Sequence, residues 1–290
     1  MEKIKIGTRS SKLALWQAEF IAQKLSKKFP VEITKIQTTG DKILDAPLAK
    51  IGGKGLFTKE IEIALLENEI DLAVHSLKDV PSELPAGFEI AAITKRTQPF
   101  DAFVSNKFST LESLPSGAVI GTSSLRRAAQ ILNLCPDLQI KNLRGNVDTR
   151  LKKLDSGEFD AVILAAAGLE RIGYGARIKQ ILTEIIPAAG QGALAIEIRA
   201  GDLKIRDAVK FLNDAETCAA IKIERDFLKE IGGSCQIPVG IFADKNSARA
   251  VIASVDGKKI LREEISAENL DGKIFARKML ESGGKEILRI

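Results

Sequence analysis

The order of secondary-structure signals in the first two thirds of this 290-residue chain constrains its fold more than any other feature. Short apolar segments with strand character alternate with amphipathic segments of helical period, beginning with a strand at 3–7 and a helix at 12–27. This alternation predicts open, partly parallel sheets covered by helices. After residue 215 the pattern changes to one long helix, a strand meander over 239–265 and a closing helix, which predicts a small α+β domain.

Two segments interrupt the alternating part and mark domain crossings. Residues 94–99 (TKRTQP) are polar and end in proline, and residues 187–192 (PAAGQG) are small, glycine-rich and followed by a strand-like segment. We therefore predict that the chain leaves a first α/β lobe, builds a second and returns. The expected limits are 1–94 and 193–212 for the first lobe, 99–186 for the second, 95–98 and 187–192 for the hinges, and 215–290 for the C-terminal domain.

Composition excludes several classes of protein. The net charge of +5, with lysines mixed among glutamates and only 5% aromatic residues, favours an acidic small ligand over nucleic acid. No run of about 18 apolar residues exists, so we expect no membrane span. The absence of an apolar leader and the three scattered cysteines predict a cytoplasmic protein with reduced thiols, and a single histidine makes a metal site unexpected. No unexplained apolar stripe is present, so we expect a monomer.

The strongest indication of a binding site is a turn that occurs twice. Residues 6–11 (IGTRSS) and 120–127 (IGTSSLRR) each place a Gly-Thr turn with hydroxyls and arginine between a strand and a helix. Such turns direct free backbone N–H groups at one spot, and arginine adds a planar fork that matches a carboxylate. Helix capping with exposed arginines explains either turn alone, but the repetition favours facing carboxylate clamps. The clamp residues are Arg9, Ser11, Ser124, Arg126 and Arg127.

Two further arginines lie near the start of another predicted helix. Arg144 and Arg150 are six residues apart, so they need not share a helix face. Ligand binding and a structural role are equally compatible with this pattern.

Asp79 is the candidate for proton chemistry. It follows a predicted buried strand at 71–75, at the carboxyl end of the strand, where open α/β sheets bind ligands. A carboxylate beside Lys78 could move protons or stabilise a developing cation. The alternative is a surface ion pair between Lys78 and Asp79. His75, at the end of the strand, is better explained as a hydrogen-bonded core residue.

Two glycine-rich loops complete the candidates. The sequence GGKG at 52–55 lacks the spacing of a Walker A motif, so it predicts a lid loop with Lys54 and Phe57 rather than a nucleotide site, with a plain glycine turn as the alternative. Cys235 lies in the loop GGSCQIP, where a thiol is more accessible than that of Cys135 or Cys218. An accessible thiol suits a covalent role, although chance placement explains it equally well.

These segments together closely resemble the hydroxymethylbilane synthase family, also called porphobilinogen deaminase. The match runs in order through IGTRSSKLALWQ, TTGD, GGKGLFTKEIE, DLAVHSLKDVP, GTSSLRRAAQ, LRGNVDTRL, AAAGLERIG, PAAGQGA and GGSCQIPVG. The resemblance implies a transferase that joins four porphobilinogen molecules head to tail, with release of ammonia, to hydroxymethylbilane. It also implies two periplasmic-binding-protein-like lobes with mixed sheets and a small α+β C-terminal domain.

The resemblance assigns roles to individual residues. Cys235 would hold a dipyrromethane primer through a thioether, and Asp79 would be the catalytic carboxylate. Each pyrrole carries two carboxylates, which accounts for many basic groups in the site. The positions that match binding of acetate and propionate side chains are Arg9, Ser11, Lys78, Ser124, Arg126, Arg127, Arg144, Arg150 and Arg171, with Thr122 and Gln191 as further contacts.

Two departures from the family pattern affect the hinge and one helix. Where the family commonly has E-R-x-D-P-R, this chain has KRTQPF at 95–100, which keeps Arg96 but puts its salt bridges in doubt. Asp148, beside the arginines of RGNVDTR, is interpreted as a helix cap. The competing hypothesis for the whole chain is a non-catalytic, two-lobed binding protein for a small polyanion.

Overall fold

The computed structural model describes residues 3–42, 58–232, 237–266 and 271–289. The first lobe begins with the strands β1 (Ile4–Arg9), β2 (Val31–Ile36), β3 (Leu72–Ser76) and β4 (Phe88–Ile93), and with the helices α1 (Lys12–Leu25), α2 (Thr39–Lys42) and α3 (Lys59–Leu66). β1 lies parallel to both β2 and β3. Ile21 and Leu25 are fully buried one helical turn apart, which fixes the face that α1 packs against the sheet.

The second lobe follows the first hinge. It contains β5 (Asp101–Val104), β6 (Val119–Gly121), β7 (Gln139–Lys141), β8 (Ala161–Ala165) and β9 (Gln180–Leu182), with α4 (Leu125–Leu134), α5 (Val147–Asp155) and α6 (Ala166–Arg171). Its sheet has the order β7-β6-β8-β5-β9. β6 is parallel to β7 and β8, whereas β5 is antiparallel to β8 and β9.

After the second hinge the chain returns to the first lobe as β10 (Leu194–Arg199), followed by α7 (Leu203–Val209). β10 pairs antiparallel with β3 and β4, which gives the first sheet the order β2-β1-β3-β10-β4. Each five-stranded sheet therefore has four strands that run in one direction and one antiparallel strand, β10 or β5, that directly follows a hinge segment.

The C-terminal domain combines α8 (Ala215–Glu230), β11 (Val239–Ala243), β12 (Ser247–Ala253), β13 (Ile260–Ser266), α9 (Gly272–Met279) and α10 (Lys285–Leu288). The strands form an antiparallel sheet in chain order. Phe227 of α8 and Phe275 of α9 meet in its core with ring centroids 5.4 Å apart. A Cβ at Gly272 would collide with the carbonyl oxygen of Ile223, so glycine permits the two helices to approach.

The predicted fold class, two α/β lobes with mixed sheets and a small α+β C-terminal domain, is confirmed.

A buried carboxylate joins both hinges to the C-terminal domain. Glu224 of α8 is completely buried. It accepts hydrogen bonds from Arg96 Nη1 at 2.8 Å, from the N–H of Gly190 at 2.7 Å and from the N–H of Ala243 at 2.8 Å. The doubt about salt bridges at Arg96 was therefore wrong, because its partner comes from a distant helix rather than from its neighbours in the sequence.

The interpretation of Asp148 as a helix cap was also wrong. The cap of α5 is Asn146, whose side chain accepts from the N–H of Thr149. Asp148 instead accepts a hydrogen bond from Tyr174 Oη at 2.7 Å and lies 3.8 Å from Lys12 Nζ of the first lobe. Thr58 occupies the cap position of α3 without making a side-chain cap hydrogen bond. Among the helices that the structure describes, none is long and apolar enough to cross a bilayer.

Candidate active site

The two Gly-Thr turns lie at the carboxyl ends of β1 and β6, and both use serine as a helix cap. Ser11 accepts a hydrogen bond from the N–H of Ala14 at 3.3 Å, and Ser124 accepts one from the N–H of Arg127 at 3.4 Å. Both serines are therefore helix caps. A cap uses the oxygen of the hydroxyl as an acceptor, so each hydroxyl can still donate its hydrogen to a ligand. Thr122 is buried, and its hydroxyl accepts from the N–H of Ser124 at 3.2 Å.

Arg126 and Arg127 form a buried cationic pair in the first turn of α4. Their side chains reach the same carboxylate: Arg126 Nη2 lies 2.8 Å from Asp101 Oδ2, and Arg127 Nη2 lies 2.7 Å from Asp101 Oδ1. Burial works against the charge on Asp101, but the two guanidinium groups outweigh it and hold the pKa of Asp101 well below its usual range. The arginines are thus oriented before any ligand arrives.

Lys78 connects to this cluster through Gln191 of the second hinge. Its ammonium donates to Gln191 Oε1 at 3.2 Å, and Gln191 Nε2 donates to Asp101 Oδ1 at 2.8 Å. Burial lowers the pKa of Lys78 to about 8, assisted by the charge of Arg127. Within the part of the chain that the structure describes, no ion pair joins Lys78 to Asp79. The surface-pair alternative is therefore wrong.

Asp79 ends a 3₁₀ turn that follows β3, and its side chain is exposed. The backbone just beyond it is held by Arg225 of α8, whose guanidinium donates to the carbonyl of Pro81 at 2.5 Å, of Ser82 at 3.0 Å and of Val80 at 3.4 Å. A charged group reaching three carbonyls fixes this loop against the C-terminal domain. The neighbouring strand residue His75 is a satisfied core residue, with Nε2 2.8 Å from Glu197 Oε2.

Arg144 and Arg150 flank the start of α5 on the second lobe. Arg150 Nε donates to the carbonyl of Gly145 at 2.8 Å. Burial lowers the pKa of Arg150 to about 10, with the charges of Arg127 and Arg144 adding to the effect and Asp79 opposing it. The charges that act on Arg150 therefore come from both lobes, from Asp79 of the first and from Arg127 and Arg144 of the second.

Arg171 and Arg9 differ from the other predicted basic groups. Arg171 Nη2 donates to the carbonyl of Gly192 at 2.6 Å and to Thr97 Oγ1 at 3.2 Å, so this arginine joins α6 to both hinges. Its guanidinium also lies 5.8 Å from the ring centroid of Trp16 in the first lobe. Arg9 is half-buried at the end of β1.

Three predicted site residues, Lys54, Phe57 and Cys235, lie outside the described residues. Within residues 3–42, 58–232, 237–266 and 271–289, no cluster of three or more histidine, cysteine or acidic side chains is placed to hold a metal ion.

Sequence reasoning missed Asp101 and Arg225. Asp101 is the first residue of the otherwise apolar segment DAFV, and a charged residue entering a buried strand requires a partner, which was a usable signal. Arg225 stands among the alternating charges of α8, where nothing in the sequence separates it from solvent-exposed neighbours.

Two α/β lobes that carry buried basic side chains at their strand ends, together with one exposed carboxylate, define a class of protein suited to a small polyanionic ligand. The chain belongs to the porphobilinogen deaminase family. Residues 4–207 match the family model described as porphobilinogen deaminase, dipyrromethane cofactor binding domain, and residues 218–281 match the model of its C-terminal domain.

Two porphobilinogen deaminases are similar to this chain over nearly its whole length. A porphobilinogen deaminase of Thiobacillus denitrificans is 50% identical over 301 residues, covering 99% of this chain and 98% of the relative. One of Geobacter sulfurreducens is 48% identical over 305 residues, covering 99% and 94%. Among solved structures, a putative methionine-binding lipoprotein of Bacillus subtilis is similar at 13% identity and a TM-score of 0.47, covering 74% of this chain and 92% of that one.

Proposed function

We propose that this chain joins four porphobilinogen molecules head to tail to give hydroxymethylbilane, on a dipyrromethane primer held through a thioether by Cys235. The observation that carries the proposal is one exposed carboxylate, Asp79, whose charge acts on Lys78 and Arg150 together with the charge of Arg127. A simple anion receptor gains nothing from an unneutralised carboxylate beside its ligand, whereas proton chemistry requires one.

The donor set fits a pyrrole chain. Acetate and propionate groups need planar or charged donors, and the described cleft offers serine hydroxyls at two helix starts together with Lys78 and the second-lobe arginines. When bound, the dipyrromethane supplies the free pyrrole α-carbon from which the chain grows. The serine hydroxyls, Lys78 and the arginines would bind and orient the carboxylates of that chain.

Asp79 supplies the proton chemistry of each addition. The C–N bond to the amine of porphobilinogen breaks and ammonia leaves, a C–C bond forms to the free α-carbon, and that carbon then loses its proton. The pyrrole nitrogen is electron-poor during these steps, so a carboxylate that accepts its N–H hydrogen bond stabilises the positive charge. The same carboxylate then accepts the α-carbon proton.

The proposal also extends to organisation and setting. The position of β10 between β3 and β4 supports the domain limits given by the hinges at 95–98 and 187–192. The lid role of Lys54 and Phe57 rests on the glycine pattern around them. A monomer is supported by exposed apolar side chains that are spread over several elements, such as Leu66, Leu203 and Ile274. A cytoplasmic setting is supported by the free cysteines Cys135 and Cys218.

Intact-protein mass spectrometry tests the central part of the proposal. We expect the purified protein to exceed its sequence mass by one dipyrromethane, the Cys235→Ser variant to lack that excess, and the matched Cys218→Ser variant to keep it. Incubation with porphobilinogen should release ammonia and, after acid oxidation, yield uroporphyrin. Turnover by protein with an unmodified Cys235 would rule out the tether, and binding without ammonia release would favour the receptor hypothesis.

A further inference from the structure

Asp101 is a buried carboxylate that pairs with two buried arginines. It is the first residue of β5, directly after the first hinge, and its side chain is completely buried. Two adjacent arginines of α4 share its carboxylate. Two like charges in a poorly hydrated space repel, so without the carboxylate the pair could not remain buried at 5% and 6% exposure.

Each arginine also donates one hydrogen bond to a backbone carbonyl, and this bond alone does not fix the orientation of the guanidinium group. Arg126 Nη1 donates to the carbonyl of Ile186 at 2.8 Å, and Arg127 Nη1 donates to the carbonyl of Ile163 at 3.0 Å. A guanidinium held at one end by a carbonyl still turns about that contact. The shared carboxylate removes this freedom and sets the direction of both planar groups.

Gln191 extends the cluster across the two lobes. Its amide oxygen accepts from Lys78 of the first lobe, and its amide nitrogen donates both to Asp101 of the second lobe and to the carbonyl of Pro99 at 2.7 Å. Gln191 is 1% exposed, so loss of any of these bonds leaves a buried polar atom unsatisfied. A relative rotation of the lobes thus acts directly on the position of Lys78.

We infer that Asp101 is a positioning residue that orients Arg126 and Arg127 and, through Gln191, couples them to Lys78, so that the anion-binding groups of both lobes act as one unit. The inference rests on the proposed function, since the carboxylates recognised are those of the pyrrole chain. Asp101 itself contacts protein groups and has no part in bond making.

The charge of Lys78 reports on this coupling. Burial lowers the pKa of Lys78 most; among the charged groups, Arg127 and Arg126 lower it further, whereas Asp79 and Asp101 raise it. A protonated Lys78 binds carboxylate, so the KM for porphobilinogen should rise as pH increases through the pKa of Lys78. Asp101→Asn removes a negative charge that raises the pKa of Lys78, and it leaves the opposing charges of Arg126 and Arg127 without their counter-ion. The pKa of Lys78 should therefore fall, and the rise in KM should begin at a lower pH.

The test compares Asp101→Asn and Asp101→Glu with Asp155→Asn, which removes the surface ion pair to Arg177 of the same lobe. For Asp101→Asn we expect KM to rise roughly tenfold at neutral pH and the alkaline midpoint of its pH profile to fall by about 0.5 to 1 unit. Asp101→Glu should keep the wild-type midpoint, and Asp155→Asn should match wild type throughout. An unmoved midpoint in Asp101→Asn, or an equal displacement in Asp101→Glu, would overturn the inference.

Two additional measurements keep the test decisive. If Asp101→Asn does not fold, Gln191→Leu removes the acceptor of Lys78 and keeps both arginine pairs; its midpoint must also fall, and an unmoved one would overturn the inference. An NMR titration of labelled lysine, with the Lys78 signal assigned through Lys78→Arg, follows the pKa without turnover. A wild-type protein that makes no hydroxymethylbilane would refute the proposed function, while this titration would still decide the coupling.

Discussion

The two lobes hold their charged side chains in different ways. On the first lobe, Asp79 is exposed, and its loop is held from outside by Arg225 of the C-terminal domain. On the second lobe, Arg126 and Arg127 are buried and held from within by Asp101. An exposed carboxylate needs only a fixed backbone, but a buried guanidinium needs a fixed counter-charge. In the proposed function, the first lobe supplies the proton chemistry together with some of the carboxylate-binding groups, and the second lobe supplies binding groups whose charge is balanced inside the protein.

The two matching turns take part in this division. Each ends in a serine that caps a helix. The positions that carry Arg126 and Arg127 in α4 are occupied by Leu13 and Ala14 in α1, and the basic group of the first turn, Arg9, precedes the helix instead. Equivalent turns thus place their cations on different sides of a helix start.

Replacing the exposed carboxylate should produce the largest effect. We expect Asp79→Asn to lower kcat by about 10²- to 10⁴-fold, the usual contribution of general acid–base catalysis, with KM changed only a few-fold. Ammonia release under steady-state conditions measures both constants. Asp71→Asn, on the same lobe but away from the cleft, serves as the control. A decrease in kcat of less than tenfold would place the proton chemistry on another group.

Removing one buried cation should have a smaller effect that falls on binding. Arg127→Met keeps much of the side-chain volume but deletes charged hydrogen bonds worth about 1.5–3 kcal/mol each, so we expect KM to rise roughly 10- to 100-fold. Porphobilinogen saturation curves test this, with Arg177→Met as a control in the same lobe. If kcat falls while KM stays constant, Arg127 contributes to the chemical step rather than to binding, and the assigned roles of the two lobes are wrong.

Loosening the Asp79 loop should have the smallest effect. Arg225→Met removes the donors to the carbonyls of Val80, Pro81 and Ser82, and we expect kcat to fall about tenfold because a misplaced catalytic group costs rate. Hydrogen exchange of the amides in 77–82 should accelerate at the same time. Lys222→Met, an exposed change on the same helix, should alter neither quantity. Unchanged exchange in Arg225→Met would show that the loop is held by other contacts.

The parts of the fold that were predictable are those with a clear periodic pattern of apolar residues in the sequence. Strand–helix alternation predicts the helix-covered sheets, and the helix expected at 12–27 is observed as α1, Lys12–Leu25. The strands β4, β5 and β9 and the helices α6 and α7 were not predicted. β5 and β9 have only four and three residues, too short to establish a period.

The candidate site was predictable in its residue types but not in its partnerships. Strand ends and helix starts identify Asp79 and the basic groups of the turns. The ion pair of Arg96 with Glu224 spans 128 positions, and no local pattern encodes such a distance. The same limit applies to Arg171, which the sequence assigns to ligand carboxylates and the structure joins to hinge carbonyl and hydroxyl groups.

The position of β10 also has a consequence for synthesis on the ribosome. All five strands of the second sheet lie between Asp101 and Leu182, so that sheet is complete before the chain returns. The first sheet lacks an inner strand until Arg199 has emerged, which leaves the facing edges of β3 and β4 without their partner. The lobe that begins the sequence is therefore the later one to close, and the nascent protein exposes the strand that leads to Asp79 for more than 100 codons.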